Sequence, residues 1–118
     1  MHNHLNGFIV ATRGILLTIR DEKNMRLHLI AAIIVLTLSW YLQISFTDIA
    51  ILFSMFALVT SAEIFNTAIE KICNIFRDKY KLPYEGSRDI RDIAAGAVWI
   101  NAIIAAIVGI LIISKYLS

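Results

Sequence analysis

One cysteine, one proline and five glycines are spread over 118 residues, and these scarcities exclude several architectures. The lone thiol, Cys73, cannot close a bridge within the chain, so there is no disulfide framework and the redox compartment stays open. So little Pro and Gly excludes collagen-like and flexible-linker chains. Charge is scarce too, 17% against the ~25% usual in soluble domains. A net charge of +2 is too small to argue for a nucleic-acid partner. No Gly-rich phosphate loop and no soluble-kinase signature occurs. Apolar residues fill the space, at 58% of the chain with a mean hydropathy of +0.72. That excludes disorder and points to a membrane protein of one domain, residues 1–118.

Two runs lack any Asp, Glu, Lys or Arg: residues 27–47 and 93–114. Each exceeds the roughly 20 apolar residues that a helix needs to cross ~30 Å of hydrocarbon. A third run, 49–62, continues past Glu63 to Glu70, which makes a helix from about Asp48 to Arg77. The expected spans are 27–46, 48–72 with an extension beyond the membrane, and 93–115. Gln43 to Asp48 forms the turn between the first two, with Thr47 or Asp48 as N-cap. The first run starts after several charges, unlike a cleavable signal peptide. Ahead of it, Leu5, Phe8, Ile9, Thr12, Ile15, Leu16 and Ile19 share one helical stripe, with Asn6, Arg13 and Arg20 toward the other side. Residues 5–20 therefore read as an interfacial helix, or alternatively as a helix packed on the bundle outside the membrane.

Basic residues set the orientation. Arg13, Arg20, Lys23 and Arg26 precede the first span, and Lys71, Arg77, Lys79, Lys81, Arg88 and Arg91 lie between the second and third. Three spans therefore put ten of the eleven Lys and Arg on one side, leaving Lys115 on the other. The positive-inside rule makes the N-terminus and the 73–92 loop cytoplasmic and the C-terminus external, in a cytoplasmic membrane.

The second span carries polar residues that a membrane helix should not have. Glu63, Asn66, Thr67, Glu70, Asn74 and Arg77 fall on one helical face. Counting ~1.5 Å per residue from Asp48 puts Glu63 ~22 Å into the ~30 Å core and Glu70 ~10 Å further, at the interface. Intramembrane carboxylates cost insertion energy and mark function, though such a stripe can also be hydrogen-bonding glue between helices. Asp21 and Glu22 lie at the mouth of the first span, where Glu22 can meet Glu70. Two carboxylates with phosphate oxygens and water suit Mg²⁺. The stretch 71–92 carries ten charges, six of them basic, together with Pro83 and a Glu-Gly-Ser turn. It reads either as membrane anchoring or as a phosphate-binding wall. In the third span Ala102 with Ala106, and Ala105 with Gly109, are small-residue pairs suited to close helix packing and oligomerisation. Cys73, His2, His4 and His28 show no metal-ligand spacing.

The box Ala62-Glu63-Ile64-Phe65-Asn66-Thr67-Ala68-Ile69-Glu70, then Tyr80, then Arg91-Asp92-Ile93-Ala94-Ala95-Gly96-Ala97-Val98, resembles the prokaryotic diacylglycerol kinase family. The mouth sequence Arg20-Asp21-Glu22-Lys23-Asn24-Met25-Arg26 resembles it as well. The resemblance covers essentially the whole chain. It implies an all-α membrane homotrimer, each subunit having a surface helix and three membrane helices, with active sites where subunits meet. The implied reaction transfers the γ-phosphate of MgATP to the hydroxyl of a membrane lipid. Glu63 matches the general base, with Asn66 its polar partner at the substrate, and Glu22 and Glu70 match the Mg²⁺ ligands. Lys79, Tyr80 and Lys81 match the nucleotide-contacting stretch, and Arg91 and Asp92 match a Lys-Asp pair on the ATP.

Three departures stand out. Arg91 replaces the usual Lys, exchanging a point charge for a planar fork. The connection from Tyr80 to Asp92 is slightly longer than the common form. His28 stands where the diacylglycerol-specific form has an acid and where the undecaprenol kinase branch often has His. The expected product is phosphatidic acid from diacylglycerol, with undecaprenyl phosphate as the alternative. From other classes, a small cation-coupled transporter needs one membrane Glu but neither a second at the interface nor a basic loop. A non-catalytic scaffold would tolerate loss of the Glu63 carboxylate.

Overall fold

The computed structural model describes residues 4–117. Four helices run in the order α1 (His4–Asp21), α2 (Lys23–Tyr41), α3 (Phe46–Lys79) and α4 (Arg88–Ser114), with a 3₁₀ turn at Tyr84–Ser87 before α4. No strand occurs among the described residues. The last three helices are long and apolar enough to cross a membrane. The described chain as a whole forms a slab 57 × 38 × 19 Å with large hydrophobic side chains exposed along its sides, as a bilayer-facing surface requires. Trp40, Tyr41 and Phe46 stand exposed around the α2–α3 turn, where an aromatic belt meets headgroups.

α3 is the spine. It packs along α4 most extensively and against α2 less so, while α2 and α4 hardly touch. At the turn end the chain is firmly closed. Gln43 takes a left-handed conformation (φ 52°), and the amides of Gln43 and Ile44 donate to the carbonyls of Trp40 and Ser39, a Schellman ending without its usual glycine. The N-cap of α3 is Ser45, whose hydroxyl accepts from the Asp48 amide at 3.2 Å. This corrects the expectation of Thr47 or Asp48, because the Asp48 carboxylate is engaged across the bundle. It accepts a 2.6 Å hydrogen bond from the Tyr116 hydroxyl and pairs with Lys115 at 2.9 Å. Ile44, Leu52 and Ile112 form the core beneath it, with Val35 and Val108 against them.

The basic end is built differently. The expected loop at 73–92 is helical at both ends: α3 runs to Lys79, α4 starts at Arg88, and 80–87 is the connection. The run of charge there does not mark a helix boundary. Arg77 and Lys79 in the last turn of α3, and Asp89 in the first turn of α4, complement the helix dipoles. Between α1 and α2 a single residue, Glu22, is extended (φ −118°, ψ 115°). Arg26 reaches back to the carbonyls of Ile19 and Arg20, both at 2.8 Å, and so caps α1. Asp21 pairs with Arg20 at 2.7 Å and with Lys71 of α3 at 2.9 Å, which ties the elbow down. The apolar side chains of α1, including Leu5, Phe8, Ile9 and Leu16, are exposed and unmatched by the rest of the chain.

Candidate active site

The elbow decides where Glu22 points. With Asp21 held by two cations and Arg26 engaged as a cap, Glu22 is left to face Glu70 across the α2–α3 seam, within hydrogen-bonding range. Partial burial, and then the facing Glu70 carboxylate, push the Glu22 carboxyl above its ordinary value. Two carboxylates held this close repel until something positive or a proton comes between them.

One turn deeper, Asn66 Nδ2 donates to Glu70 Oε1 at 3.3 Å, leaving Asn66 Oδ1 buried without a partner. A further turn down lies Glu63, 1% exposed, with neither carboxylate oxygen hydrogen-bonded. Thr67 turns away to donate to the Glu63 carbonyl at 2.8 Å, which satisfies the helix and not the carboxylate. The nearest basic side chain to Glu63 is the His28 ring, Nε2 to Oε2 at 3.8 Å, too long for a hydrogen bond. Glu63, Asn66 and Glu70 open, with Asn24 and His28 of α2, onto a cleft of about 430 Å³ whose far wall is α4, from Ala95 to Ala106.

The expected residues therefore divide into two groups. Glu22, Glu63, Asn66 and Glu70 come together as one electrostatically connected set. Lys79, Tyr80, Lys81 and Asp92 are exposed near the basic end and do not line the cleft. Arg91 is intermediate, four residues before Ala95 and so on the same face of α4 as the cleft wall. Its guanidinium lies 4.9 Å over the Tyr84 ring, Nε donates to Ser87 Oγ at 3.1 Å, and Nη2 is buried without a partner. Lys79 stands 5.8 Å over Tyr80.

Asn24 and Trp99 also line the cleft without having been singled out in the sequence, and His28, marked there only through the family resemblance, lines it too. The signal was present: Asn24, His28, Ala31 and Val35 recur at steps of four, three and four, a stripe down one face of α2. No cluster of three or more His, Cys, Asp or Glu side chains forms a metal cage among the described residues. The fit for a divalent cation is instead the Glu22–Glu70 pair, which Mg²⁺ accepts when phosphate oxygens and water supply its other ligands.

Three apolar spans and a buried, unpartnered carboxylate on an open cleft have the character of a small polytopic membrane enzyme. The chain belongs to the prokaryotic diacylglycerol kinase family, which its residues 9–113 match. It is 34% identical over 112 residues to the undecaprenol kinase of Bacillus subtilis (strain 168), covering 95% of this chain and 89% of that one. It is 31% identical over 107 residues to a diacylglycerol kinase of Synechocystis sp. (strain ATCC 27184 / PCC 6803 / Kazusa), covering 91% of this chain and 60% of that relative. No solved structure gives a significant match. The protein is thus a membrane lipid kinase with ATP as phosphate donor, which sets aside the transporter and scaffold readings.

Proposed function

We propose that the enzyme transfers the γ-phosphate of MgATP to the hydroxyl of a membrane lipid alcohol, with Glu63 as general base. The observation that carries this reading is the Glu63 carboxylate, almost fully buried with both oxygens unpartnered, on a cleft that leads to Glu22 and Glu70. A buried carboxylate without a partner is costly unless a ligand supplies one. An alcohol reaching the cleft from the bilayer meets Glu63, which accepts its proton as the oxygen attacks phosphorus. Asn66 holds Glu70 with its amide and offers its free carbonyl oxygen toward the substrate side.

Glu22 and Glu70 are the residues to hold Mg²⁺. When bound, the ion neutralises charge on the transferring phosphate. The unpartnered Nη2 of Arg91 suits a phosphate oxygen, and Lys79, Tyr80, Lys81 and Asp92 supply further nucleotide contacts. These last four stand outside the cleft of a single chain, which supports an assembly in which neighbouring copies complete each site. We assign that assembly as a homotrimer, as the family resemblance implies. A slab only 19 Å thick with a wide apolar flank fits association of this kind. In this reading α1 lies in the inner interface of the bacterial cytoplasmic membrane with its apolar stripe toward lipid, the 80–87 connection is cytoplasmic and the C-terminus external.

Two acceptors compete, diacylglycerol and undecaprenol. His28 beside Glu63, together with the 34% identity to an undecaprenol kinase, favours undecaprenol over the diacylglycerol that the motif first suggests. Purified protein in detergent with radiolabelled ATP and a panel of lipid alcohols tests both the reading and the choice. Label is expected in undecaprenyl phosphate, and label in phosphatidic acid alone reverses the choice. No labelled lipid from any alcohol defeats the reading.

A further inference from the structure

Before α4 begins, the chain makes one 3₁₀ turn, Tyr84–Ser87, in which the Gly86 amide donates to the Pro83 carbonyl at 3.0 Å. The Pro83 ring fixes the entry to that turn at φ −65°. The turn is joined to Arg91, one helical turn beyond Ser87, by two contacts. Ser87 Oγ accepts from Arg91 Nε at 3.1 Å and donates to the Tyr84 carbonyl at 3.2 Å, so its hydroxyl is committed in both directions. The Tyr84 ring covers the guanidinium at 4.9 Å, yet is itself 52% exposed, so it is not there to fill a core. No ion pair among the described residues includes Arg91. Asp78, which lies close enough to feel the Arg91 charge, is taken by Arg77 in two hydrogen bonds of 2.8 and 3.3 Å. Nη2 therefore ends buried and unpartnered, on the face of α4 that Ala95 continues as the cleft wall.

We propose that Tyr84 and Ser87 are positioning residues for the nucleotide: they hold the Arg91 guanidinium so that Nη2 is presented to a phosphate oxygen. The inference rests on the phosphate contact given to Arg91 above. An arginine side chain is long and rotates freely, and gripping a phosphate requires that freedom to be lost. A guanidinium already held at Nε and against a ring has lost it before the nucleotide arrives, so binding is less opposed by entropy. Both contacts use what an arginine offers and an ammonium does not. Nε is a donor fixed in the guanidinium plane, and the flat cation stacks on an aromatic face. Contacts that served only to pin the turn to α4 would gain from satisfying Nη2 as well. Leaving that donor buried and open is costly unless a ligand oxygen completes it.

Removing the ring and the hydroxyl separately tests this. Tyr84→Leu is expected to weaken equilibrium binding of a non-hydrolysable MgATP analogue by about three- to tenfold. Ser87→Ala should weaken it by a similar factor, and KM for ATP should rise in step. Turnover at saturating ATP, KM for the lipid alcohol and the thermal unfolding midpoint should stay near parental values. Tyr84→Phe keeps the ring and should keep the affinity. In an Arg91→Lys background, Tyr84→Leu should cost less than about twofold, because the ring acts through the guanidinium. Unchanged analogue affinity in either single variant overturns the proposal, and so does an undiminished cost in the Arg91→Lys background. Tyr84→Phe as weak as Tyr84→Leu overturns it too, since the phenol hydroxyl is then the contact. Should one variant fail to fold, the other carries the test; loss of folded protein in both assigns the turn to the fold and overturns the proposal. Parental affinity in Arg91→Ala removes the phosphate contact of Arg91 and this inference with it, while lipid phosphorylation still stands. Parent protein that binds the analogue but labels no alcohol defeats the lipid kinase reading, and the binding comparisons still decide the role of Tyr84 and Ser87.

Discussion

Asp48 and Glu63 are both carboxylates on α3, and both lie buried, at 9% and 1% exposure. Asp48 accepts from Tyr116, pairs with Lys115 and sits over a packed core, so the cost of burying it is repaid within the chain. Glu63 has a histidine at 3.8 Å and an open cleft. The same residue class on the same helix is thus satisfied within the chain at one end and left without a partner at the other. The difference lies in whether the surroundings complete the hydrogen bonding.

The largest effect that should separate the two ends is on catalysis. Glu63→Gln is expected to lower lipid phosphorylation by about 10²–10⁴-fold, the range of general-base assistance, in a radiolabelled turnover assay. Next come the proposed metal ligands. Glu70→Gln and Glu22→Gln should each raise the Mg²⁺ needed for half-maximal activity by at least the ~10–100-fold that losing an outer-shell partner costs. The double variant should lose less than the sum if both side chains hold one ion. At the turn end, Asp48→Asn should spare turnover per folded molecule but lower the thermal unfolding midpoint by several degrees, since it breaks the link to Tyr116 and Lys115.

The elbow yields a pH effect. Hydrogen bonds from Arg20 and then Lys71 hold the Asp21 carboxyl well below the usual carboxylate range. A depressed folded-state value contributes stability above the unfolded value and loses it as pH falls through the folded one. Docking of α1 on α3 should therefore persist at neutral pH and weaken only in strong acid. Lys71→Met should move that loss toward milder acid, as read by proteolysis near residue 21. The smallest effect concerns Gln43. A left-handed conformation costs a non-glycine residue roughly 1 kcal/mol, so Gln43→Gly should stabilise the turn end by up to that amount in thermal unfolding, with no change in activity.

The three long apolar helices and the carboxylate stripe were legible because both are periodic. A charge-free run announces a span, and offsets of three, four and seven put Glu63, Asn66 and Glu70 on one face. The approach of Glu22 to Glu70 could be anticipated from their shared depth. The Asp48–Tyr116 bond joins residues 68 apart in sequence and leaves no local trace, so the N-cap was misplaced onto Thr47 or Asp48. His28 stood out only through the family resemblance, because a single histidine among apolar neighbours is silent until its helix face is known. Ala105 and Gly109 show the same limit: a small-residue pair marks close packing or a groove, and only the placement of α2 distinguishes them.

The central claim is that the unsatisfied carboxylate serves a ligand and the satisfied one serves the fold. Turnover and unfolding midpoint measured side by side on Glu63→Gln and Asp48→Asn test it most directly. The account predicts opposite patterns: Glu63→Gln loses turnover while its midpoint holds or rises, since a membrane-embedded charge has been removed, and Asp48→Asn keeps turnover while its midpoint falls. A Glu63→Gln enzyme that stays active but unfolds early, beside an Asp48→Asn enzyme that is stable, would contradict it.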